Sequence, residues 1–199
     1  MDIAALRAQT PGCASRIHLN NAGAALLAQP TIDAMTSHLR LETEIGGYEA
    51  ATWDGHRGFT WAAGARRFAS WEHSYVNVLG LGAAVQQALD LGLDAIGRRC
   101  AALGARLRDQ LGDLPGVSTH DLGQTRCAIV TAKIGGMPAT AAAAALRQAG
   151  VNVTTTVPED NQLDTEIRPV HPLVRFSPHY YNTEAEIDRA TQLVAALTG

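Results

Sequence analysis

The chain has 199 residues, of which 46% are hydrophobic and 18% are charged. This composition excludes wholesale disorder, and the length is enough for one ordinary domain or for a large and a small lobe. Sixteen Lys and Arg against 19 Asp and Glu give a net charge of −3. A nucleic-acid-binding protein usually has a basic surplus, so we expect no nucleic-acid partner. No apolar run approaches the length of a bilayer span, so we expect no membrane partner.

The cysteines and the N-terminus bear on the cellular compartment. Cys13, Cys100 and Cys127 form no CxxC pair, and their odd number excludes a closed disulfide framework. The first residues lack the cationic stretch and apolar core of a signal peptide. We therefore expect a cytoplasmic protein with reduced thiols.

Lysine usage is the most unusual feature of the composition. Of the 16 basic residues, 15 are Arg and one is Lys133, while 35 residues are Ala. A GC-rich genome explains most of this skew. Such a skew cannot remove a catalytic lysine, however, because chemistry would hold such a residue in place.

The first third of the chain predicts few regular elements. A short helix leads to a turn at Pro11–Gly12, and a short strand over Ile17–Leu19 runs into a turn at Asn20–Gly23. A helix begins at Pro30 and ends near Gly46. Residues 48–66 have no clear period, contain several glycines and aromatic residues, and are predicted to be an irregular connector.

From Trp71 onward the predicted elements alternate. Apolar spacing predicts one helix from Trp71 to a break near Gly92, and a second ending at Leu114–Gly116. The rest of the chain predicts strands over Cys127–Ile134, Val151–Val157 and Leu173–Ser177. It also predicts a helix over Pro138–Gly150 and a final helix that begins with a Thr183/Glu186 capping box. The order α-α-β-α-β-β-α predicts an α/β (α+β) fold, in which helices pack on a small mixed sheet.

Several short motifs have simpler structural explanations. Gly80-Leu81-Gly82 lacks the third glycine and the preceding strand of a dinucleotide fingerprint, so close packing of two helices is the better interpretation. The seven histidines show no metal-ligand spacing, and we expect no metal site. Residues Ser118–Asp121 follow a Pro-Gly turn and are predicted to be a solvated loop.

Two polar stretches are candidates for a binding site. Asn20 and Asn21 place amides at the end of a short strand, although a turn that needs left-handed positions explains them equally. Arg175 alternates with Val174 and Phe176 and must point to the opposite face of its strand. Such an arginine needs water or an anion. A ligand carboxylate and a structural Asp or Glu both remain open.

Three segments resemble the class V aminotransferase and cysteine desulfurase family, pyridoxal-phosphate enzymes of fold type I, in its isopenicillin N epimerase-like branch. The segments are IHLNNAGAALLAQPTIDAM, ARRFASWEHSYVNVLGLGAAVQQALDLGLDAIGRR and VRFSPHYYNTEAEIDRATQLVAAL. The resemblance implies an N-terminal arm and helix (1–50), a connector (51–70) and a C-terminal small α/β domain (71–199). By the same resemblance, Arg175 binds the substrate carboxylate, and Asn20 and Asn21 lie near the substrate.

The resemblance also implies a departure from the family. The large cofactor-binding domain, with its Schiff-base lysine, would be skipped between about Tyr48 and Thr52, and Lys133 does not match the family lysine. Arginine cannot replace a Schiff-base amine, because it does not deprotonate in proteins. We therefore assign no catalytic residue and do not expect this chain to retain pyridoxal phosphate.

Three functions follow from the resemblance. The leading one is a truncated class V homologue that is not catalytic by itself. The alternatives are a component of a composite aminotransferase, desulfurase or epimerase completed by another chain, and a non-catalytic binding or oligomerisation module. We expect a homo-oligomer with a small amino-acid or carboxylate ligand. An apolar surface left by the skipped domain would drive its association; its expected members are Trp53, Phe59, Trp61, Phe68 and Trp71.

Overall fold

A computed structural model describes residues 1–44, 74–168, 170 and 172–198. Seven helices and six strands occur in these ranges. The helices are α1 Ile3–Ala8, α2 Gln29–Glu44, α3 Tyr75–Leu91, α4 Leu93–Gly112, α5 Ala139–Gln148, α6 Gln162–Ile167 and α7 Glu184–Thr198. The strands are β1 Ile17–His18, β2 Val117–Thr119, β3 Val130–Ile134, β4 Val151–Asn152, β5 Thr154–Thr156 and β6 Leu173–Phe176.

Most predicted elements are confirmed, and their boundaries have local causes. Gly92 separates α3 from α4 and has a φ of 84°, a conformation that favours glycine. At the start of α7, the Glu186 N–H donates to Thr183 Oγ1 at 3.2 Å, and the Thr183 N–H donates to Glu186 Oε2 at 3.0 Å. This reciprocal pair is the predicted capping box.

Two predictions about strands are wrong. Part of the expected loop at Ser118–Asp121 belongs to β2, which pairs antiparallel with β3. The expected single strand over Val151–Val157 is two strands in different sheets, because β4 pairs parallel with β1 while β5 pairs antiparallel with β6. The Val153 side chain at the junction is buried in the core.

The larger sheet has four strands in the order β2-β3-β6-β5, and every neighbouring pair is antiparallel. Its register places Thr131 and Thr154 directly beside Arg175, one on each neighbouring strand. Directly paired residues project from the same face of a sheet. The register therefore decides which side chains can share a site.

One face of this sheet packs on helices. Its apolar side chains are buried against the apolar faces of α4, α5 and α7. The sheet contributes Val130, Ala132, Ile134, Val174 and Phe176 to this cluster. The helices contribute Leu103, Leu107, Leu111, Leu146, Ile187 and Val194. The polar residues Thr131, Thr154 and Arg175 alternate with these and project from the other face. The fold is thus the predicted mixed α/β arrangement, with one covered and one polar sheet face.

The N-terminal segment packs on the C-terminal part of the chain through a second apolar cluster. Leu6, Cys13, Tyr180 and Tyr181 form its buried centre. Above it, Arg7 forms an ion pair of 2.7 Å with Glu186 and also donates to the Tyr181 carbonyl at 3.1 Å. These contacts join α1 to the beginning of α7.

Residue contacts divide the chain into two compact units, Met1–Gln29 with Ala88–Gly199, and Pro30–Gln87. In the second unit, a Cβ added to Gly80 would lie 2.7 Å from Met35 Cγ, so the close helix packing predicted for this glycine is confirmed. The apolar positions predicted for α3 are not buried among the described residues: Val78, Leu81 and Val85 are 49–66% exposed.

Some predictions concern residues outside the described ranges. The connector 51–70, the boundaries at residues 50 and 70, and the five aromatic residues from Trp53 to Trp71 all lie there, and these remain predictions. In the described part of the chain, no single helix has the length and hydropathy to cross a membrane. Helices α3 and α4 meet both criteria only as a bent pair.

Candidate carboxylate-binding site

Arg175 lies in the middle of the polar sheet face. Its neighbours Val174 and Phe176 are fully buried on the helical side, which confirms the predicted alternation. Arg175 is partly buried and its Nε is wholly shielded, so this position is not fully open to water. The Asn20 side chain contacts the guanidinium on this face.

The guanidinium of Arg175 has spare capacity for an anion. Nη2 donates to Asn20 Oδ1 at 3.2 Å, and the buried Nε has no hydrogen-bond partner. Among the described residues no carboxylate forms an ion pair with Arg175. A buried donor without a partner is costly, and a planar guanidinium matches a carboxylate in a two-pronged fork. The geometry suits a carboxylate ligand.

Asn20 reaches Arg175 because the chain after β1 runs beside the end of β6. An isolated parallel bridge pairs Asn20 with Ser177, and the Ser177 N–H donates to the Leu19 carbonyl at 2.7 Å. Gly23 lies against the Asn20 side chain, where an added Cβ would lie 3.0 Å from both amide heteroatoms. The turn therefore fixes the amide that contacts Arg175, and Gly23 leaves the space for it.

The Asn21 side chain is engaged within the protein. Its Nδ2 donates to the carbonyls of His18 at 3.0 Å and Ser177 at 2.8 Å, and its Oδ1 accepts from the Tyr181 hydroxyl. Both amide protons and the amide oxygen are thus engaged within the protein. Asn21 ties the ends of β1 and β6 together, and this geometry gives no support to a contact with substrate.

His18 supports the same turn from the other side. Its Nε2 donates to the Ala24 carbonyl at 2.8 Å, and Asn152 Nδ2 donates to its Nδ1 at 3.3 Å. The contact with a carbonyl requires a proton on Nε2. Sequence reasoning missed this role and that of Tyr181; Asn152 lies 134 residues from His18, and Asn21 lies 160 residues from Tyr181.

His179, three residues after the end of β6, is a second partly buried polar residue with a shielded nitrogen. Its Nδ1 is shielded without a hydrogen-bond partner, and its ring packs against Tyr180 and Tyr181 at centroid distances of 4.6 and 5.3 Å. Burial lowers the pKa of His179 below its ordinary value.

Other arginines of the first unit have the carboxylate that Arg175 lacks. Arg7 pairs with Glu186, Arg108 with Asp121 at 2.5 Å, and Arg168 with Asp164 at 2.7 Å. The structural alternative left open for Arg175, an internal Asp or Glu partner, is therefore not found among the described residues. No group of three or more His, Cys, Asp or Glu side chains in the described part of the chain is arranged to hold a metal ion.

Comparison with known proteins identifies a matching family. The profile of a family described as Aminotransferase class-V matches residues 35–190. No curated protein matches the sequence.

Solved structures resemble the fold at low sequence identity. An apo cysteine desulfurase from Thermococcus onnurineus NA1 has a TM-score of 0.64 and 22% identity, over 77% of this chain and 38% of that one. The cysteine desulfurase CsdA from Escherichia coli has a TM-score of 0.64 and 18% identity, over 76% and 37%. A cystine C-S lyase, C-DES, solved with cysteine persulfide, has a TM-score of 0.61 and 20% identity, over 73% and 35%. This chain thus spans less than two fifths of the length of these structures.

Proposed function

Because the chain belongs to the class V aminotransferase family, we propose that it is a truncated member that binds a ligand carboxylate at Arg175 and is not catalytic alone. Arg175 carries this proposal. It is partly buried on the polar sheet face, keeps an unpartnered Nε, and is bonded to a neutral amide and to no carboxylate among the described residues. An amino-acid carboxylate would complete its hydrogen bonding.

The described residues do not fit a covalently held pyridoxal phosphate. The family uses this cofactor, and one similar structure contains glycine covalently linked to it. A lysine that forms a Schiff base in an enzyme lies in a pocket that excludes water. Lys133, the only lysine in the sequence, is exposed on β3. We therefore derive no step through the cofactor.

A composite enzyme is the second candidate, and a non-catalytic binding or oligomerisation module is the third. The similar solved enzymes are more than twice as long as the part that this chain matches. In this proposal another chain supplies the lysine and the cofactor, and Arg175 binds the carboxylate of the shared substrate. A module with no ligand would not need to keep Nε of Arg175 unpaired.

A pair of matched ligands tests the proposed role of Arg175. L-Alanine and L-alaninamide differ in the carboxylate alone, and their affinities for the full chain can be measured by calorimetry or NMR titration. We expect L-alanine to bind and L-alaninamide to bind at least tenfold more weakly, since a charge-assisted hydrogen bond contributes about 1.5–3 kcal/mol. Arg175→Gln should abolish the difference. Equal binding of the two ligands, or an unchanged preference in Arg175→Gln, would contradict the proposal.

The absence of catalysis is tested separately with the cofactor. Purified protein is mixed with pyridoxal phosphate and an amino acid, and absorbance, borohydride trapping and product formation are measured. We expect no transaminase, desulfurase or epimerase turnover from this chain alone. Trapping on Lys133 together with turnover would overturn the proposal, whereas trapping without turnover is expected of any exposed lysine.

A further inference from the structure

The polar face of the four-stranded sheet carries a second cation besides Arg175. Thr131 is paired with Arg175, and Lys133 lies two residues further along β3, so both β3 side chains project from the face of Arg175. On the next strand, Ser118 is paired with Lys133 and projects from the same face. We use the term polar face for Ser118, Thr131, Lys133, Thr154 and Arg175.

This face has a consistent charge. The four strands contain no Asp or Glu, and their two charged residues, Lys133 and Arg175, are both positive and both on the polar face. Among the described residues neither forms an ion pair with a carboxylate. Because helices bury the other face, both cations are confined to the polar face, and this face lacks the negative charges that ordinary surfaces interleave with positive ones.

Part of the face beside Lys133 is covered, because the register that pairs Thr131 with Arg175 places Leu173 across from Lys133, and Thr156 is paired with Leu173. Leu173 and Thr156 project from the same side but are only 1% and 7% exposed. Lys133 and Ser118 are exposed, and Thr131, Thr154 and Arg175 are partly exposed. A ligand held by Arg175 can therefore extend across Thr131 towards Lys133.

The separation of the two cations sets the size of such a ligand. Two residues along a strand span about 7 Å and neighbouring strands lie about 5 Å apart, so the Cα atoms of Lys133 and Arg175 are roughly 8 Å apart. Both side chains are long enough to bring their charged ends within the reach of one molecule. An amino acid with a second anionic group a few atoms from its carboxylate has the matching length.

We infer that the polar face binds an amino acid with an anionic side chain, whose α-carboxylate lies on Arg175 and whose second anionic group lies on Lys133. The inference rests on the proposed function, because it assumes that Arg175 binds the α-carboxylate. It adds a substrate class, defined by the second negative charge. A side-chain carboxylate and a side-chain phosphate share this chemistry.

Two pairs of ligands that differ mainly in this charge test the inference: L-glutamate with L-glutamine, and O-phospho-L-serine with L-serine. Affinities of the full chain are measured by NMR titration at low salt. We expect the anionic member of at least one pair to bind about three- to tenfold more tightly, since a partly exposed charge pair contributes about 1 kcal/mol. The preference should weaken as salt is raised. The pair with the larger ratio identifies the second group.

Three variants assign the effect to Lys133. Lys133→Gln should reduce the ratio to about one without changing the affinity for the neutral ligand, and Lys133→Arg should retain the preference. Arg189→Gln is the matched control, because it removes one exposed positive charge from α7, on the opposite side of the sheet. It should leave the ratio unchanged.

The outcomes separate this inference from the proposed function. If both members of each pair bind equally, or if Lys133→Gln keeps the preference, the inference is wrong while carboxylate binding by Arg175 stands. If Arg175→Gln leaves the affinity for L-glutamine unchanged, or if no ligand binds, the proposed function is wrong and the inference falls with it. A ratio that Arg189→Gln lowers as much as Lys133→Gln does would indicate net charge alone, and would overturn the inference.

Discussion

Two arginines of the same compact unit lie in opposite environments. Arg7 forms an ion pair with Glu186 at 2.7 Å and also donates to the carbonyls of Tyr181 and Cys13. Arg175 contacts one neutral amide and keeps a shielded Nε without a partner. Arg7 is satisfied by the fold, whereas the fold leaves Arg175 incomplete. A buried donor that folding does not use is a sign of a ligand, because leaving it unpaired destabilises the protein.

Arg7 has a structural role. The carboxylate of Glu186 also accepts from Asn182 Nδ2 at 3.1 Å and from the Thr183 N–H, so Arg7 joins a network that begins α7. Removal of Arg7 leaves the Glu186 carboxylate buried without its cation. Removal of Glu186 leaves the Arg7 guanidinium, Asn182 Nδ2 and the Thr183 N–H without their acceptor. Removal of Arg175 leaves nothing charged behind. The two regions should therefore respond oppositely to mutation, in stability and in ligand binding.

The largest expected loss of stability is at Glu186. Glu186→Ala strands the Arg7 guanidinium, removes the capping box and unpairs Asn182, and should lower the free energy of unfolding by about 3 kcal/mol, measured by urea denaturation. Glu184→Ala is the control on the same helix, since that carboxylate also pairs with an arginine, Arg99, but is about half exposed. It should cost less than about 1 kcal/mol. Equal losses would mean that the Arg7 network adds no special stability.

Gly23 should affect both stability and binding. A Cβ at this position would lie 3.0 Å from Oδ1 and Nδ2 of Asn20, so Gly23→Ala must shift the amide that contacts Arg175. We expect a loss of about 1 kcal/mol in stability and a weaker affinity for L-alanine. Gly82→Ala meets no atom within 4 Å and lies inside α3, so it should leave L-alanine binding unchanged and should raise stability slightly, because alanine favours the helix over glycine. Unchanged L-alanine binding in Gly23→Ala would show that Asn20 does not position Arg175.

His179 should make stability dependent on pH. Its pKa is lowered by burial, so below the ordinary value of 6.5 the unfolded chain binds a proton that the folded chain does not. Above pH 6.5 the ring is neutral in both states and does not lower the free energy of unfolding. As the pH falls from 6.5 towards the lowered pKa, proton binding by the unfolded chain reduces that free energy. A single proton changes the free energy of unfolding by at most about 1.4 kcal/mol per pH unit.

The measurement compares urea midpoints of the parent and His179→Asn between pH 7.5 and 5. The variant should lose less stability on acidification, because it carries no titrating ring at this position. The other histidines are present in both proteins and cancel in the difference. Parallel pH profiles would contradict the assignment of a lowered pKa to His179.

The smallest expected change in stability is at Arg175 itself. Arg175→Gln removes a buried Nε that has no partner, and leaves no carboxylate unpaired among the described residues. We expect the free energy of unfolding to change by less than about 1 kcal/mol. A loss of about 3–5 kcal/mol in a denaturation curve would mean that Arg175 is part of the structure, as Arg7 is, and the binding role would have to be abandoned.

Local patterns predicted the elements that depend on local chemistry. The Thr183/Glu186 capping box needs two residues three positions apart, and both are visible in the sequence. The orientation of Arg175 follows from its apolar neighbours, since alternation along a strand is a property of the backbone. The resemblance to a known family supplied the expectation that Arg175 and Asn20 share a site, and the structure brings their side chains together.

The features that the sequence did not predict depend on contacts between residues far apart along the chain. β2 is a three-residue strand of mixed polarity at the edge of the sheet, and only its pairing with β3 distinguishes it from a loop. The strands on either side of Val153 separate because each pairs with a different remote segment. Asn21 donates to a carbonyl 156 residues away, a contact that no local pattern indicates.

The central claim is that Arg175 binds the carboxylate of a ligand, whereas Arg7 binds a carboxylate of the protein itself. The most direct measurement follows the Nε–H resonances of ¹⁵N-labelled arginines by NMR, with the Arg175 signal assigned from its loss in Arg175→Gln. On titration with L-alanine, the Arg175 Nε–H should shift with a saturating curve while the Arg7 Nε–H stays in place. An Arg175 resonance that does not move at saturating L-alanine, or that moves no more than that of Arg7, would contradict the account.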